Sequence, residues 1–402
     1  MKTSNIVPKL RFPEFSGEWE IKELGEIANR ITEKVGDRKL VTLSITAGIG
    51  FVSQAEKFNR DISGNQYKNY IYLKKGEFSY NKGNSKKFPQ GCIYELKNFE
   101  EAAVPNAFIS FKFLPDYMNG FFQRYFEKNT HGIQLKKFIT SGARSDGLLN
   151  INPADFFSIS FPYPSRQEQQ KIADCLASLD ELLDLEEKKL SALQKYKKGL
   201  LQKLFPQGES RVPEWRFPEF QNSGEWEEKK IGELSKISTG KRDVEDKNDI
   251  GLYPFFVRSK KIEKIDSYSF DGEAILIPGD GKIGEIFHYI IGKFDFHQRV
   301  YKISNFNNVL GKYVFYCLEN GFKKHALSNT AKATVDSLRL PMITGYIIKT
   351  PTLEEQQKIA DFISGVDELI EKQQQKIEQL KQHKKSLLQG LFPNINGVGD
   401  VK

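Results

Sequence analysis

Cysteine is scarce in this chain: its 402 residues include three, Cys92, Cys175 and Cys317, far apart in sequence. None stands in a C-x-x-C pair, so neither a disulfide framework nor a zinc site is indicated, and a reducing compartment is expected. The five histidines, His131, His288, His297, His325 and His383, show no metal-ligand spacing. Long apolar runs are missing too. Nothing approaches the length of a membrane span, and Met1 to Leu10 lacks the apolar stretch of a signal peptide. The expectation is a cytoplasmic protein with no membrane partner.

Catalytic motifs are equally sparse. No Gly-Lys-Ser or Gly-Lys-Thr occurs, so there is no Walker A loop. The chain has no Pro-Pro dipeptide, which excludes the Asn/Asp-Pro-Pro-aromatic motif of amino-methyltransferases; Asn152-Pro153-Ala154-Asp155-Phe156 lacks the second proline. Gly279-Asp280-Gly281-Lys282-Ile283-Gly284 matches G-x-G-x-x-G, but a dinucleotide fingerprint needs a helix to open at its third glycine. Here the chain continues as Glu285-Ile286-Phe287-His288-Tyr289-Ile290, which has strand composition, so a glycine-rich hairpin turn is expected. No Ser/His/Asp or paired-carboxylate constellation stands out. These absences predict a chain that is not an enzyme.

What the chain has is a duplication. Pro8-Lys9-Leu10-Arg11-Phe12-Pro13-Glu14-Phe15 and Ser16-Gly17-Glu18-Trp19-Glu20 return as Pro213-Glu214-Trp215-Arg216-Phe217-Pro218-Glu219-Phe220 and Ser223-Gly224-Glu225-Trp226-Glu227. Glu168-Gln169-Gln170-Lys171-Ile172-Ala173-Asp174 returns as Glu355-Gln356-Gln357-Lys358-Ile359-Ala360-Asp361, and Leu204-Phe205-Pro206 as Leu391-Phe392-Pro393. The period of about 190 residues is far too long for a solenoid. Between the echoed ends lie two stretches, 20–163 and 228–350, that barely resemble each other. A repeated frame with two different inserts predicts two readers held in one mutual geometry.

Residues 165–205 read as one long helix. Ser165-Arg166-Gln167-Glu168 has capping-box spacing. A 4-3 spacing then runs through Ile172, Leu176, Leu179, Leu183, Glu186, Leu190, Leu193, Lys197, Leu200 and Leu204 until Pro206 stops it. This is a coiled-coil seam. The second copy caps at Thr352-Leu353-Glu354-Glu355 and runs Ile359, Ile363, Val366, Ile370, Gln373, Ile377, Leu380, Lys384, Leu387 and Leu391 to Pro393. The polar seam positions match: Glu186 with Gln373, and Lys197 with Lys384. If a pseudo-dyad relates the repeats, the helices run antiparallel and form a ruler about 55–60 Å long, with one domain at each end.

The expected fold is therefore α/β, with two α/β heads separated by two long antiparallel helices in a pseudo-twofold repeat. The division is a first head at 1–163, a long helix at 164–206, linker and second head at 207–350, a second long helix at 351–393, and a tail at 394–402. In the first head Lys39–Ile45 and Tyr70–Leu73 have strand composition, and 119–128 suits an amphipathic helix. In the second, 273–277 and 299–303 read as strands and 310–320 as a helix. In the linker-like stretch 206–227, Phe217, Phe220 and Trp226, like Phe12, Phe15 and Trp19, are expected to clip the frame onto a head or helix end.

The formal charge is +8, from 60 Lys and Arg against 52 Asp and Glu, which favours a polyanionic partner. Basic polar loops supply candidates. The first head offers Lys82, Asn84, Lys86 and Lys87 in one loop and Ser141, Arg144 and Ser145 in another. The second offers Arg258, Lys260 and Lys261, then Lys282 in the glycine turn, then Lys332 and Thr334. Lys and Arg can neutralise phosphates, and Asn, Ser and Arg can reach base edges. Any one loop is equally well read as solvated surface; two basic heads on a ruler together favour a duplex polyanion.

With these motifs in view, the chain resembles the specificity subunit of type I restriction-modification enzymes along essentially its whole length. The resemblance rests on the two Glu-Gln-Gln-Lys-Ile-Ala-Asp helices ending in Leu-Leu-Gln-x-Leu-Phe-Pro and on the Arg-Phe-Pro-Glu-Phe openings. It implies that the heads are target recognition domains, each reading half of a split double-stranded DNA site. The helices would hold them apart and dock two modification (methyltransferase) subunits, with restriction subunits completing the complex. It also implies no cofactor in this chain: S-adenosylmethionine, ATP and Mg belong on the partner subunits. The loop around Arg144 and its counterpart around Lys332 would be the family's polar turn before the final strand; the second lacks the Gly-Ala-Arg wording of the first. Two other readings remain: a coiled-coil scaffold with protein-binding heads, and a nucleotide-dependent enzyme using the 279–284 glycines.

Overall fold

The computed structural model describes residues 6–83, 88–139, 148–330 and 337–393. The chain divides into two compact units, Met1–Leu185 with Ile377–Lys402, and Glu186–Lys376. Four helices organise them: α1 (Asn119–Glu127), α2 (Arg166–Leu204), α3 (Gly311–Cys317) and α4 (Leu353–Leu391). The two long helices each have 39 residues and keep to the bounds that their seams and prolines dictate.

In the first unit an antiparallel sheet runs Ala28–Ile31, Ile109–Phe113, Phe78–Asn81, Cys92–Glu95. Helix α1 buries Phe121, Phe122, Tyr125 and Phe126, the amphipathic face that the sequence shows. Phe126 meets Phe78 edge-on at 5.7 Å, one contact in an aromatic core that also takes in Phe111, Phe156 and Phe161. Two-stranded ladders pair Leu43–Thr46 with Gly50–Ser53 and Ile71–Lys74 with Glu101–Val104. The strand expected at 39–45 is thus shorter. Leu40 is held instead by Tyr67, whose hydroxyl takes the Leu40 amide at 2.6 Å, so a side chain replaces the ladder there.

The second unit has a six-stranded sheet in the order Lys236–Thr239, Val300–Ser304, Phe270–Pro278, His288–Phe296, Tyr253–Phe256, Ile262–Ile265. Helix α3 buries Tyr313 and Tyr316 and runs on through a π-turn, Leu318–Phe322, into Lys323–Thr330. The two heads therefore differ in sheet and share their edges: Glu20–Glu23 pairs Ser160–Tyr163 just as Glu227–Lys230 pairs Ile347–Thr350.

The repeated motif explains why the edges match. Ser165 Oγ and Thr352 Oγ1 accept the amides of Glu168 and Glu355, each at 3.4 Å, which is half of the expected capping box. The carboxylates go elsewhere. Glu168 accepts a fork from Arg11 at 2.9 and 2.8 Å, and Glu355 one from Arg216 at 2.7 and 2.7 Å. A buried guanidinium is a stronger partner for a carboxylate than one backbone amide. Next in the motif, Gln169 accepts the Met118 amide at 3.1 Å, and Gln356 that of Leu310 at 3.0 Å, so each long helix caps the start of its own head helix. Lys171 pairs with Glu14 at 3.3 Å and Lys358 with Glu219 at 3.2 Å. Ile172 and Ile359 enter the cores.

Trp19 and Trp226 anchor the opening segments as expected, each buried edge-on to the Phe of a Leu-Phe-Pro stop: Phe392 at 6.5 Å and Phe205 at 6.4 Å. The segments are also tied by backbone. Leu10 N–H donates to Gly390 carbonyl at 2.9 Å, and Trp215 N–H donates to Lys203 carbonyl at 2.9 Å.

Inside each unit the helix segments pack antiparallel. In the second, Glu186 meets Gln373 at 2.6 Å and Lys197 meets Asp367 at 2.7 Å, so α4 numbers fall as α2 numbers rise. Lys197 also reaches Glu319 beyond α3, at 2.6 Å, and Tyr316 donates to Asp367 at 2.8 Å. Burial alone would lower the Lys197 pKa; the two carboxylates more than offset it, and the pKa is raised. In the first unit Lys384 pairs with Asp180 at 2.5 Å and Glu127 at 3.6 Å, while Arg124 donates to Asp180 at 2.7 Å. The lysine that interrupts each seam thus clasps a long helix to a head helix.

The more deeply buried fork should carry more of the fold than its counterpart. The Arg216 and Glu355 side chains are 7% and 0% exposed. Arg216→Met, leaving Glu355 unpaired, should destabilise the second unit by about 3–5 kcal/mol. Arg11→Met, whose side chain is 15% exposed, should cost less. Chemical denaturation read by domain-resolved hydrogen exchange checks the ranking.

Candidate functional site

In the first head the hairpin of Phe78–Asn81 and Cys92–Glu95 closes at the Asn81–Cys92 pair. Its turn begins with Lys82, half-buried, whose carbonyl accepts the Leu149 amide at 3.0 Å. Gly83 forms an antiparallel bridge with Leu148. The described flanks of the two basic loops are therefore stitched together, although some 65 residues of chain separate them. Asn84, Lys86, Lys87, Ser141, Arg144 and Ser145 lie outside the described residues.

The second head repeats the stitch with different residues. The hairpin of Phe270–Pro278 and His288–Phe296 encloses the 279–284 glycines, with no helix opening there. Gly281 and Gly284 have φ of +88° and +65°, the left-handed region that a tight turn uses. Asp280 bridges to Ser337, and Gly279 carbonyl accepts the Leu338 amide at 2.7 Å. Lys282 is exposed at the tip. Lys332 and Thr334 lie outside the described residues.

Charge gathers at this hairpin end. Arg299 donates to Asp280 at 3.2 Å, and Arg258 approaches the same oxygen at 3.9 Å. Lys323 hydrogen-bonds Glu285 and holds its pKa down, with Lys282 and Lys260 acting in the same direction from further away. The structure thus brings Arg258, Lys260 and Lys282 together and adds Arg299 and Lys323. Lys261 is drawn to Glu263 at 2.7 Å instead. His297 sits beneath, its Nδ1 accepting the Arg299 amide at 2.9 Å; burial and the nearby Arg258 hold its pKa below normal. Arg299 reads as a strand residue in the sequence, but the ladder begins at Val300, leaving the Arg299 side chain 62% exposed. The only sequence signal for it is the polar Gln298-Arg299 step before an apolar strand.

This arrangement can bind. Guanidinium forks take phosphate oxygens or base edges, and lysines take phosphates as point charges. Among the described residues no cluster of His, Cys, Asp and Glu could hold a metal ion, and no helix is long and apolar enough to cross a membrane.

Behind the first hairpin, His131 is fully buried, with Nε2–H donating to Gly91 carbonyl at 3.2 Å and no partner at Nδ1 among the described residues. Burial pushes its pKa down to about 4. The folded protein holds this ring neutral, whereas the unfolded chain protonates it below about 6.5. Its contribution is complete above that pH and is lost as pH falls toward about 4, amounting to about 3 kcal/mol. His131→Gln should flatten the stability-versus-pH curve in that window. An unchanged slope would assign the acid loss to carboxylates.

The family model described as "Type I restriction modification DNA specificity domain" matches twice, at residues 16–195 and 223–382. The chain is 30% identical over 168 residues to the Type I restriction enzyme EcoDI specificity subunit of Escherichia coli, covering 42% of this chain and 37% of that protein. It is 26% identical over 300 residues to the MjaVIII specificity subunit of Methanocaldococcus jannaschii, covering 64% and 67%. The alignment with the Escherichia coli relative thus spans little more than a third of that protein's length. A crystal structure of a type I restriction-modification S subunit from M. genitalium superposes with a TM-score of 0.65 at 17% identity, covering 97% of this chain and 100% of that one, a likeness of fold.

Proposed function

Because the chain belongs to the type I restriction-modification DNA specificity family, we propose that it is the subunit that selects the DNA sequence and that its two heads each read one half of a bipartite duplex target. The observation that carries this reading is the repeated stitch. In each head a hairpin turn is bonded to the flank of a polar segment, at Gly83–Leu148 and at Asp280–Ser337. In the second, Arg258, Lys260, Lys282 and Arg299 surround it. A turn of this kind offers side chains to a groove and charges to the flanking phosphates.

In this reading the chain supplies recognition and no chemistry. Two modification subunits dock on the helix pair and bind S-adenosylmethionine, and restriction subunits use ATP and Mg. The helices set the unread gap. Methylation mapping of DNA from cells with and without the protein tests the proposal directly: a split motif present only with the protein supports it, and unchanged methylation in cells that express the modification subunits overturns it.

Modularity gives one further outcome. Replacing 20–163 by another family head should change one half of the motif and leave the other intact, as read by the same mapping. Alteration of both halves would argue against independent readers.

Gap setting gives another. Four residues inserted after Leu190 add about 6 Å of helix, and DNA rises about 3.4 Å per base pair. The gap should lengthen by about one or two base pairs with both half-sites unchanged. The shifted 4-3 seam should cost some stability. A variant that methylates only the original spacing would show that the helices do not set it.

A further inference from the structure

We propose that Asp280 is a specificity filter of the second head: its carboxylate pairs with Arg299 and Arg258 on non-cognate duplex, offsetting one of their two charges, and the guanidiniums engage DNA productively only where the correct base pairs take its place. This rests on the DNA-recognition reading above.

The carboxylate is placed where a polyanion-binding surface has least use for one. Asp280 Oδ2 receives Arg299 at 3.2 Å and faces Arg258 at 3.9 Å, so a single oxygen serves both arginines. The Asp280 side chain is 26% exposed, against 49% for Arg258 and 62% for Arg299. Pairs this open to water contribute little stability, so folding alone does not account for the acid. Its position is nonetheless fixed. The Asp280–Ser337 bridge holds one side of the turn. Gly279 N–H donates to Arg299 carbonyl at 2.8 Å, and a Cβ on Gly279 would meet that oxygen at 2.9 Å. The turn carrying the acid is thus docked directly on the backbone of the arginine it neutralises, and His297 fixes the Arg299 amide from beneath.

Phosphate attraction is indifferent to sequence. An acid built into the contact edge weakens binding to every duplex and is compensated only where a base edge replaces its role. A carboxylate can itself accept from a cytosine amino group, and each freed arginine can fork onto guanine. Repulsion of wrong partners is how an interface gains discrimination beyond what attraction supplies.

The test uses the complex with its modification subunits and the target motif obtained by methylation mapping. Binding of cognate and scrambled duplexes is measured over a salt series. Asp280→Asn should raise affinity for scrambled DNA about tenfold and steepen its salt slope by about one. It should also relax methylation in the second half-site only. Arg258→Gln with Arg299→Gln asks the same question without touching the turn. It removes two positive charges that Asp280 only half offsets, so it should weaken both duplexes but lower cognate affinity at least about tenfold more than scrambled affinity, because only the cognate complex also loses base contacts. Equal losses on both duplexes, or an Asp280→Asn complex with the original discrimination and slope, would overturn the filter while leaving the recognition reading standing. An unsubstituted complex that prefers no duplex would overturn both.

Discussion

The structure depends on one ion pair made twice. Arg11 on Glu168, and Arg216 on Glu355, join an opening segment to the first turn of a long helix. That turn is also where Gln169 or Gln356 caps the head helix, so three pieces of chain meet at two adjacent helix residues. A guanidinium fork is directional, and away from water it tolerates no substitute of the wrong length. Because this joint belongs to the frame, a head can diverge without disturbing how it is mounted.

Divergence is what the heads show. One has a four-stranded sheet flanked by small ladders and the other a six-stranded sheet, yet each sends a hairpin turn to the segment that precedes its final strand. The lysine clasps follow the same pattern. Lys384 with Asp180 and Glu127, and Lys197 with Asp367 and Glu319, hold equivalent elements through the same charges, but Arg124 in one unit is replaced by Tyr316 in the other. Charge placement is kept and the donors vary.

The frame was legible in the sequence because its signals are local or periodic. The seams, the proline stops and the echoed Glu-Gln-Gln-Lys-Ile-Ala-Asp locate both long helices, which run over Arg166–Leu204 and Leu353–Leu391 inside the expected 164–206 and 351–393. The roles of Glu168 and Glu355 were not legible, since capping spacing cannot reveal a distant arginine that competes for the same carboxylate. The glycine turn was read as a hairpin, and it is one. What no spacing rule could supply is the pairing of Gly279 with Leu338, a contact across some 60 residues, or the company of Asp280, Arg258 and Arg299, which come from three separate stretches of chain. Arg299 was hidden by its neighbours: beside Val300-Tyr301-Lys302-Ile303 it counts as one more strand residue.

The backbone bond from opening segment to helix end is also made twice, with different consequences for the thread. Trp215 bonds Lys203, a dozen residues behind it, while Leu10 bonds Gly390 from the far side of the sequence. The local geometry is indifferent to that distinction. In each unit a helix end is completed by an opening segment, and what specifies the joint is the backbone pairing at that end, whatever length of chain connects the two.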